Sequence, residues 1–407
     1  MKKILLVTSI FSEQDSVSTI TKNIELTFKT ISNIKIKTLP IEHINESFSL
    51  KSFDCVAIIH PLVILSPYTE TIFRQSTQLN LKIIYFVFGD FVRKSAYLIK
   101  HNDLLSHKNI HFVAASSSYL KLVEKCLNHK KDVSLCPFPL NEKKLQFDAS
   151  ARVKFRKKFK LDKNDRAILY TGRISIQKNV EQLIETFIEL KQKYKAGKLK
   201  LILIGNVDDF ESPTFYNKKL NPGALFQRIK KISSVCNSDE LFIIPHSDLR
   251  FLKEAYNGCD LFVSLSLYHD EDFGYSPLEA LACGTPVVCT NWGGYRDFKK
   301  QNDKNHSVEL INVDLEENFL MADNAEIEKK IQKALKSAQH SKARATFFRR
   351  EYSFKSTADQ YKKIIHSVAS NFGGFSPAFA EFSLKLLNVD TISPEDYEQF
   401  YQSFWKK

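Results

Sequence analysis

Short β-forming runs alternate with helical patterns along most of this chain, and that alternation limits its fold more than any other feature. Runs such as LKLILIG at 199–205 are nearly continuous in apolar residues rather than alternating. A strand of that kind is buried on both faces, so helices must cover the sheet above and below. Strands are predicted at 3–9, 34–38, 54–59, 82–88, 111–115 and 132–136, and again at 166–171, 199–204, 241–244, 260–265, 286–290 and 308–312. Helices are predicted between them, among others at 16–30, 91–105, 117–128, 180–195, 223–235, 248–257 and 277–283. Strand–helix alternation gives parallel sheets with right-handed crossovers. The 407 residues exceed one ordinary core, so the two series predict an α/β chain of two Rossmann-like domains. The break falls near 140–152, after Pro137 and Pro139, which gives domains at 1–150 and 151–350. Past residue 320 the pattern turns helical, and the C-terminal helices of 351–407 are expected to pack back on the body. Ser376-Pro377 and Ser393-Pro394 each read as a helix start, and Tyr397, Phe400, Tyr401 and Phe404 as a docking stripe.

Composition narrows the function. Apolar residues make up 43% and charged residues 26%, a globular profile, and no run approaches the length of a membrane helix. MKKILLVTSIF is followed by SEQDS without a small-residue cleavage site, so it reads as a first buried strand. The seven cysteines form no C-x-x-C pair, which points to reduced thiols in a cytoplasmic protein; Cys283 and Cys289 read as small core residues. The net charge of +13 calls for an anionic partner. The densest basic run, ARVKFRKKFK at 151–160, reads as a solvated helix face, and no nucleic-acid motif stands out.

Ligands of open α/β sheets bind where strands end. The stretch LFVSLSLYHDEDFGYSPLEALACGTPVVCTNWGG at 261–294 places a strand, a carboxylate-bearing loop and Gly274 before a helix starting at Ser276-Pro277. The amides of Phe273, Gly274, Tyr275 and Ser276 would cluster at that helix N-terminus, where N–H groups suit phosphate or sugar oxygens. Glu279 has two readings that spacing alone leaves open: a ligand-binding carboxylate, or the partner of Ser276 in a capping box. By spacing alone Glu271 reads as a solvated loop acid. In RAILYTGRISIQKNVEQLIETFIEL at 166–190, Gly172, Arg173 and Lys178 follow a strand, and Asn179 with Gln182 reads as a capping box. Two cations beside a helix start can clamp a diphosphate, although singly each reads as a surface charge.

Taken together, Gly172-Arg173, Lys178-Asn179, Glu271-Asp272-Phe273-Gly274, Glu279-Ala280 and Gly284-Thr285-Pro286-Val287-Val288 resemble the retaining GT-B glycosyltransferases grouped as family 4, also described as glycosyl transferases group 1. The resemblance covers about 160–300 and implies a GT-B fold, two domains facing a cleft. It implies that Arg173 and Lys178 neutralise a donor diphosphate near Gly205, and that Glu279 holds ribose hydroxyls. Glu271 and the amides near Phe273 and Gly274 would hold the sugar, and His246 and Ser247 the nucleobase, although Pro245 stands where many relatives have glycine. The implied donor is a UDP- or GDP-sugar and the acceptor a glycan, a lipid-linked glycan or a protein. Neither a cofactor nor a metal is implied.

The N-terminal half departs from the family pattern. Ile10–Ser16 holds no glycine where many relatives have a Gly-Gly loop, and Phe88-Gly89-Asp90 stands where many have histidine. Asp90 and His60 are the acceptor-side candidates, His60 also reading as a partly buried loop residue. Arg93, Lys94 and Lys100 lie on an ordinary amphipathic helix or, alternatively, on a peripheral contact with an anionic membrane at the inner face of the plasma membrane. These departures keep a second reading in play: a catalytically weak, donor-binding partner subunit. A sugar epimerase or phosphorylase is a third, though no pyridoxal-lysine context is present.

Overall fold

Apolar runs that no face of a sheet can present to water end up inside parallel sheets covered by helices. A computed structural model describes residues 1–10, 16–105, 110–194, 197–208, 223–245, 247–267, 271–300, 307–316, 319–367 and 372–385. All twelve predicted strands are present, six in each of two parallel sheets.

The first unit is Met1–Asn141 together with the chain returning from Tyr352. Its strands are β1 (Lys2–Thr8), β2 (Ile34–Pro40), β3 (Cys55–Ile58), β4 (Lys82–Val87), β5 (Ile110–Ala114) and β6 (Val133–Leu135). They lie in the order β2-β1-β3-β4-β5-β6, with Ile4 paired to Ile36 on one side and Cys55 on the other. Residues 4–7 are completely buried, so the N-terminal run is a core strand. The returning helix Phe354–His366 lies against Ser16–Lys29, with Tyr361 packed on Phe28 at 5.0 Å and Phe86 at 5.1 Å. Lys2 and Lys82 donate to the carbonyls of Ile365 and Ile364, which satisfies the last turn of that helix. Ser376-Pro377 does begin a helix, Pro377–Lys385. The Ser393-Pro394 start and the stripe Tyr397, Phe400, Tyr401 and Phe404 lie outside the described residues.

The second unit is built on Glu142–Glu351. Its strands are β7 (Arg166–Thr171), β8 (Leu199–Ile204), β9 (Leu241–Ile244), β10 (Leu261–Ser264), β11 (Val287–Thr290) and β12 (Val308–Ile311). They lie in the order β12-β11-β10-β7-β8-β9, so the chain runs outward from β7, then crosses back to β10 and runs the other way. An antiparallel pair, β13 (Asp314–Glu316) with β14 (Phe319–Met321), comes before the helical region; the pattern analysis has no strands there.

The basic run 151–160 requires a correction. It lies largely on the helix Ala149–Lys158, but Phe155 is fully buried. Arg152 and Arg156 grip the two oxygens of Asp260, at 2.6 and 3.0 Å, just before β10. Arg152 also donates to the carbonyls of Asn257, Gly258 and Cys259, at the C-terminal end of the helix Leu249–Gly258. Part of this charge therefore holds β10 in place. Cys283 and Cys289 are completely buried, as expected. No described helix is long and apolar enough to cross a membrane.

Candidate functional site

In a sheet of this order, ligands bind outside the carboxyl ends of the two strands where the winding reverses. In the second unit those strands are β7 and β10, and the loops that follow them carry most of the singled-out residues. The loops are tied together. The amide of Leu267 donates to the carbonyl of Gln177 at 3.0 Å, and the Lys178 ammonium donates to Glu271 Oε2 at 2.7 Å. The Lys178 and Glu271 side chains are 18% and 8% exposed, so this ion pair is largely withdrawn from water. Glu271 is thus not the solvated loop acid that its spacing suggests. Burial of a charge demands a partner, and Lys178 supplies one.

Arg173 is exposed and pairs with Asp208, which follows β8, at 2.9 Å. Its carbonyl accepts from the Tyr170 hydroxyl at 2.6 Å, which fixes the loop backbone. Gly172 and Gly205 stand at the ends of β7 and β8. A Cβ on Gly205 would lie 1.8 Å from the Gly172 carbonyl oxygen, so these loops can approach only because residue 205 is glycine.

The helix after β10 runs from Tyr275 to Cys283, with Gly274 as its N-cap. Ser276 is therefore inside the first turn and not the cap. The preceding loop rests on a tight turn: Gly294 N donates to the Glu271 carbonyl at 2.7 Å, and a Cβ on Gly293 would sit 2.2 Å from that same oxygen. The Phe273 ring is buried against Tyr275 and Phe298, so this residue can offer only its backbone to a ligand.

The capping-box reading of Glu279 does not hold. Its carboxylate accepts from the hydroxyl of Tyr256, 23 residues away on another helix, at 2.6 Å. Tyr256 also bonds Thr171 Oγ1, at the end of β7, at 2.7 Å. Burial raises the Glu279 pKa to about 7, against the lowering effect of the Tyr256 bond. The Asn179–Gln182 capping box fails as well. Asn179 has φ +52° and makes no cap bond; its amide donates to the Gln182 side chain instead. Ser247 follows β9 at the sheet edge with its hydroxyl on the Pro245 carbonyl at 3.1 Å, and His246 lies outside the described residues.

In the first unit, His60 follows β3 and is buried, more deeply than a partly buried loop residue. Its Nδ1 accepts from the Leu62 amide at 3.2 Å and caps a short helical turn, 61–65. Asp90, after β4, adopts φ +62° without capping the helix Phe91–Ile99. Sequence reasoning missed Glu42 here. It accepts from Ser9 Oγ at 2.5 Å and from the Ile10 amide at 3.1 Å, next to His60. Burial raises its pKa, but these hydrogen bonds and His60 outweigh that and leave it lowered. Residues 11–15, the rest of the glycine-free loop, lie outside the described residues.

Comparison with known proteins fits this geometry. Residues 151–350 match the family model described as glycosyl transferases group 1. The chain is 28% identical over 151 residues to an uncharacterized glycosyltransferase of Methanocaldococcus jannaschii, covering 37% of this chain and 33% of that protein. It is 27% identical over 150 residues to the D-inositol 3-phosphate glycosyltransferase of Xylanimonas cellulosilytica, covering 37% and 31%. These matches thus span about a third of each relative's length. Among solved structures, HepE of Anabaena in complex with UDP-glucose aligns over 90% of this chain and all of its own, with a TM-score of 0.66 and 12% identity. At that identity the likeness is one of fold, the GT-B fold.

Proposed function

Residues 151–350 match glycosyl transferases group 1 within a GT-B fold, and from that premise we propose that the chain transfers a sugar from a nucleotide-diphosphate donor to a hydroxyl acceptor. The acceptor is a glycan, a lipid-linked glycan or a protein. The observation that carries this reading is the meeting of Lys178 and Glu271 at the winding reversal, beside the helix N-terminus at Gly274. A cation and a hydrogen-bonding carboxylate there suit the two halves of a sugar diphosphate.

In this proposal Arg173 and Lys178 take the diphosphate and Glu279 takes the ribose hydroxyls. Glu271, with the backbone near Phe273 and Gly274, takes the sugar. Ser247 stands where the base would lie. The bond between the anomeric carbon and the β-phosphate oxygen breaks and charge builds on the leaving diphosphate. Fixed cations stabilise that charge most where water is excluded. The acceptor oxygen attacks on the face the leaving group departs from, and its proton passes to the leaving phosphate oxygen. Configuration is retained and no enzyme nucleophile is required. With two cations assigned to the diphosphate, the mechanism needs no metal. A neighbour of the same fold was solved with UDP-glucose, which makes UDP-sugars the first donors to try. Acceptor contacts are assigned to the strand ends of the first unit, where His60 and Asp90 stand.

Labelled UDP- and GDP-sugars incubated with the protein should be slowly hydrolysed, in the manner of a transferase that uses water in place of its acceptor. Absence of both turnover and binding with every such donor would contradict the proposal.

A further inference from the structure

Glu279 is held in a way that spacing did not foretell, and the hydrogen-bond directions can be worked out. A phenol has one proton to give and can accept two hydrogen bonds. Tyr256 gives its proton to Glu279 Oε2 at 2.6 Å. The Thr171 hydroxyl, at 2.7 Å, must then donate to the phenol oxygen. The hydroxyls of Thr171 and Tyr256 thus join the end of β7 and the helix Leu249–Gly258 in one directed chain that ends on the carboxylate of the helix Tyr275–Cys283. Tyr256 is 1% exposed, and its carbonyl is itself bonded by Thr285 Oγ1, so ring and backbone are both fixed.

We propose that Tyr256 is a positioning residue for the donor: it holds the Glu279 carboxylate in one plane, ionised, with the remaining lone pairs turned to a vicinal diol. This rests on the donor-site reading given above. A carboxylate that accepts one fixed hydrogen bond on Oε2 keeps Oε1 and a second Oε2 lone pair, two acceptors at a fixed spacing, for two hydroxyls on adjacent carbons. Without the phenol the carboxylate is free to turn.

Among the described residues the surroundings offer little else to keep Glu279 charged. On its own helix it faces Cys283, whose thiol burial holds neutral. Lys253 and Arg349 come near Cys283 from the neighbouring helices, but Lys253 is paired with Asp148 at 2.8 Å and Arg349 donates to the Glu142 carbonyl. Arg344, on the same helix as Arg349, donates to the carbonyls of Gly284 and Gln339. The Tyr256 proton is therefore the direct support for the ionised carboxylate.

The test is calorimetry across the neutral pH range with UDP, GDP and inorganic pyrophosphate, on wild type, Glu279→Gln, Tyr256→Phe and Thr171→Val. Tyr256→Phe should weaken binding of the nucleotide diphosphate that wild type prefers by about tenfold. It should move the acid limb of that binding to higher pH and leave pyrophosphate binding unchanged. Thr171→Val, which leaves the tyrosine in place, should move the limb the same way by less. Equal losses for pyrophosphate and nucleotide, or an unmoved acid limb, would overturn the proposal. If Tyr256→Phe does not fold, an unmoved limb in Thr171→Val overturns it alone. Weakened binding in Glu279→Gln with unchanged Tyr256→Phe removes the role of Tyr256 and keeps the donor site. Unchanged binding in Glu279→Gln, or wild type that binds neither nucleotide, removes the donor site itself.

Discussion

The two units share an architecture and differ in what their strand ends carry. Each has a six-stranded parallel sheet, and each places polar residues after β-strands near a change in winding direction. In the second unit these residues are ion-paired across loops, Lys178 with Glu271 and Arg173 with Asp208, or hydrogen-bonded across helices, Glu279 with Tyr256. In the first unit, His60 caps its own turn, while Glu42, after β2, reaches Ser9 and the Ile10 amide, after β1. The second unit thus ties its strand-end loops with ion pairs, whereas the bridge in the first joins a carboxylate to a hydroxyl and a backbone amide. Charge drawn from separate elements to one spot is what a ligand with several anionic and hydroxyl groups requires.

The comparison breaks if Glu279 does not matter to a ligand. Glu279→Gln keeps the size of the side chain and loses the charge and one acceptor. UDP or GDP affinity should fall at least about tenfold, since a charge-assisted contact is worth roughly 1.5–3 kcal/mol. Wild-type binding should also weaken as pH falls through about 7, because the carboxylate is the binding form and burial has raised its pKa to that value. The stability of the unliganded protein has the opposite sign. A folded-state pKa above the ordinary carboxylate value means the folded state binds more protons, so this group's contribution improves as pH falls from about 7. Parallel pH titrations of affinity and Tm check both signs; matching slopes would count against the assignment.

His60→Ala sharpens the contrast from the other side. It removes the acceptor for the Leu62 amide and should cost about 1 kcal/mol of stability, as loss of a helix cap does. Donor nucleotide affinity should not change. A loss of nucleotide binding in this variant would place donor chemistry in the first unit as well. The smallest effect is expected at Asp208, which holds Arg173 in an exposed pair. Exposed pairs are worth at most about 1 kcal/mol, so Asp208→Asn should raise diphosphate affinity by about two- to fivefold. Titration with pyrophosphate reads this directly, and weaker binding would show that Asp208 supports the site.

The sheet pattern was legible because burial on both faces leaves its mark in single runs of residues such as 199–204. What was misread lies where the signal is short or non-local. The β13–β14 pair has only three residues in each strand, too few for periodicity to show. Asn179 looked like a cap because capping is a matter of residue type, whereas it adopts a positive φ and its side chain bonds that of Gln182 and no backbone amide of the helix. Ser276-x-x-Glu279 looked like a box because Tyr256, the real partner, lies on a different helix. Asp208 and Glu42 carry no motif, and only the fold brings them to Arg173 and Ser9. The loops with Arg173, Lys178, Glu271 and Gly274 were legible because each follows a predicted strand, but the pairing of Lys178 with Glu271 was not.

The central claim, that a donor diphosphate is held where the loops after β7 and β10 meet, is tested most directly at Lys178. Calorimetry of Lys178→Ala with UDP, GDP and their nucleosides should show diphosphate affinity reduced about tenfold or more, with nucleoside affinity nearly unchanged, because only the phosphate contact is charge-assisted. Glu271 loses its buried partner in the same variant, so Tm should fall as well. Equal losses for nucleotide and nucleoside, or unchanged diphosphate binding in a folded variant, would contradict the account.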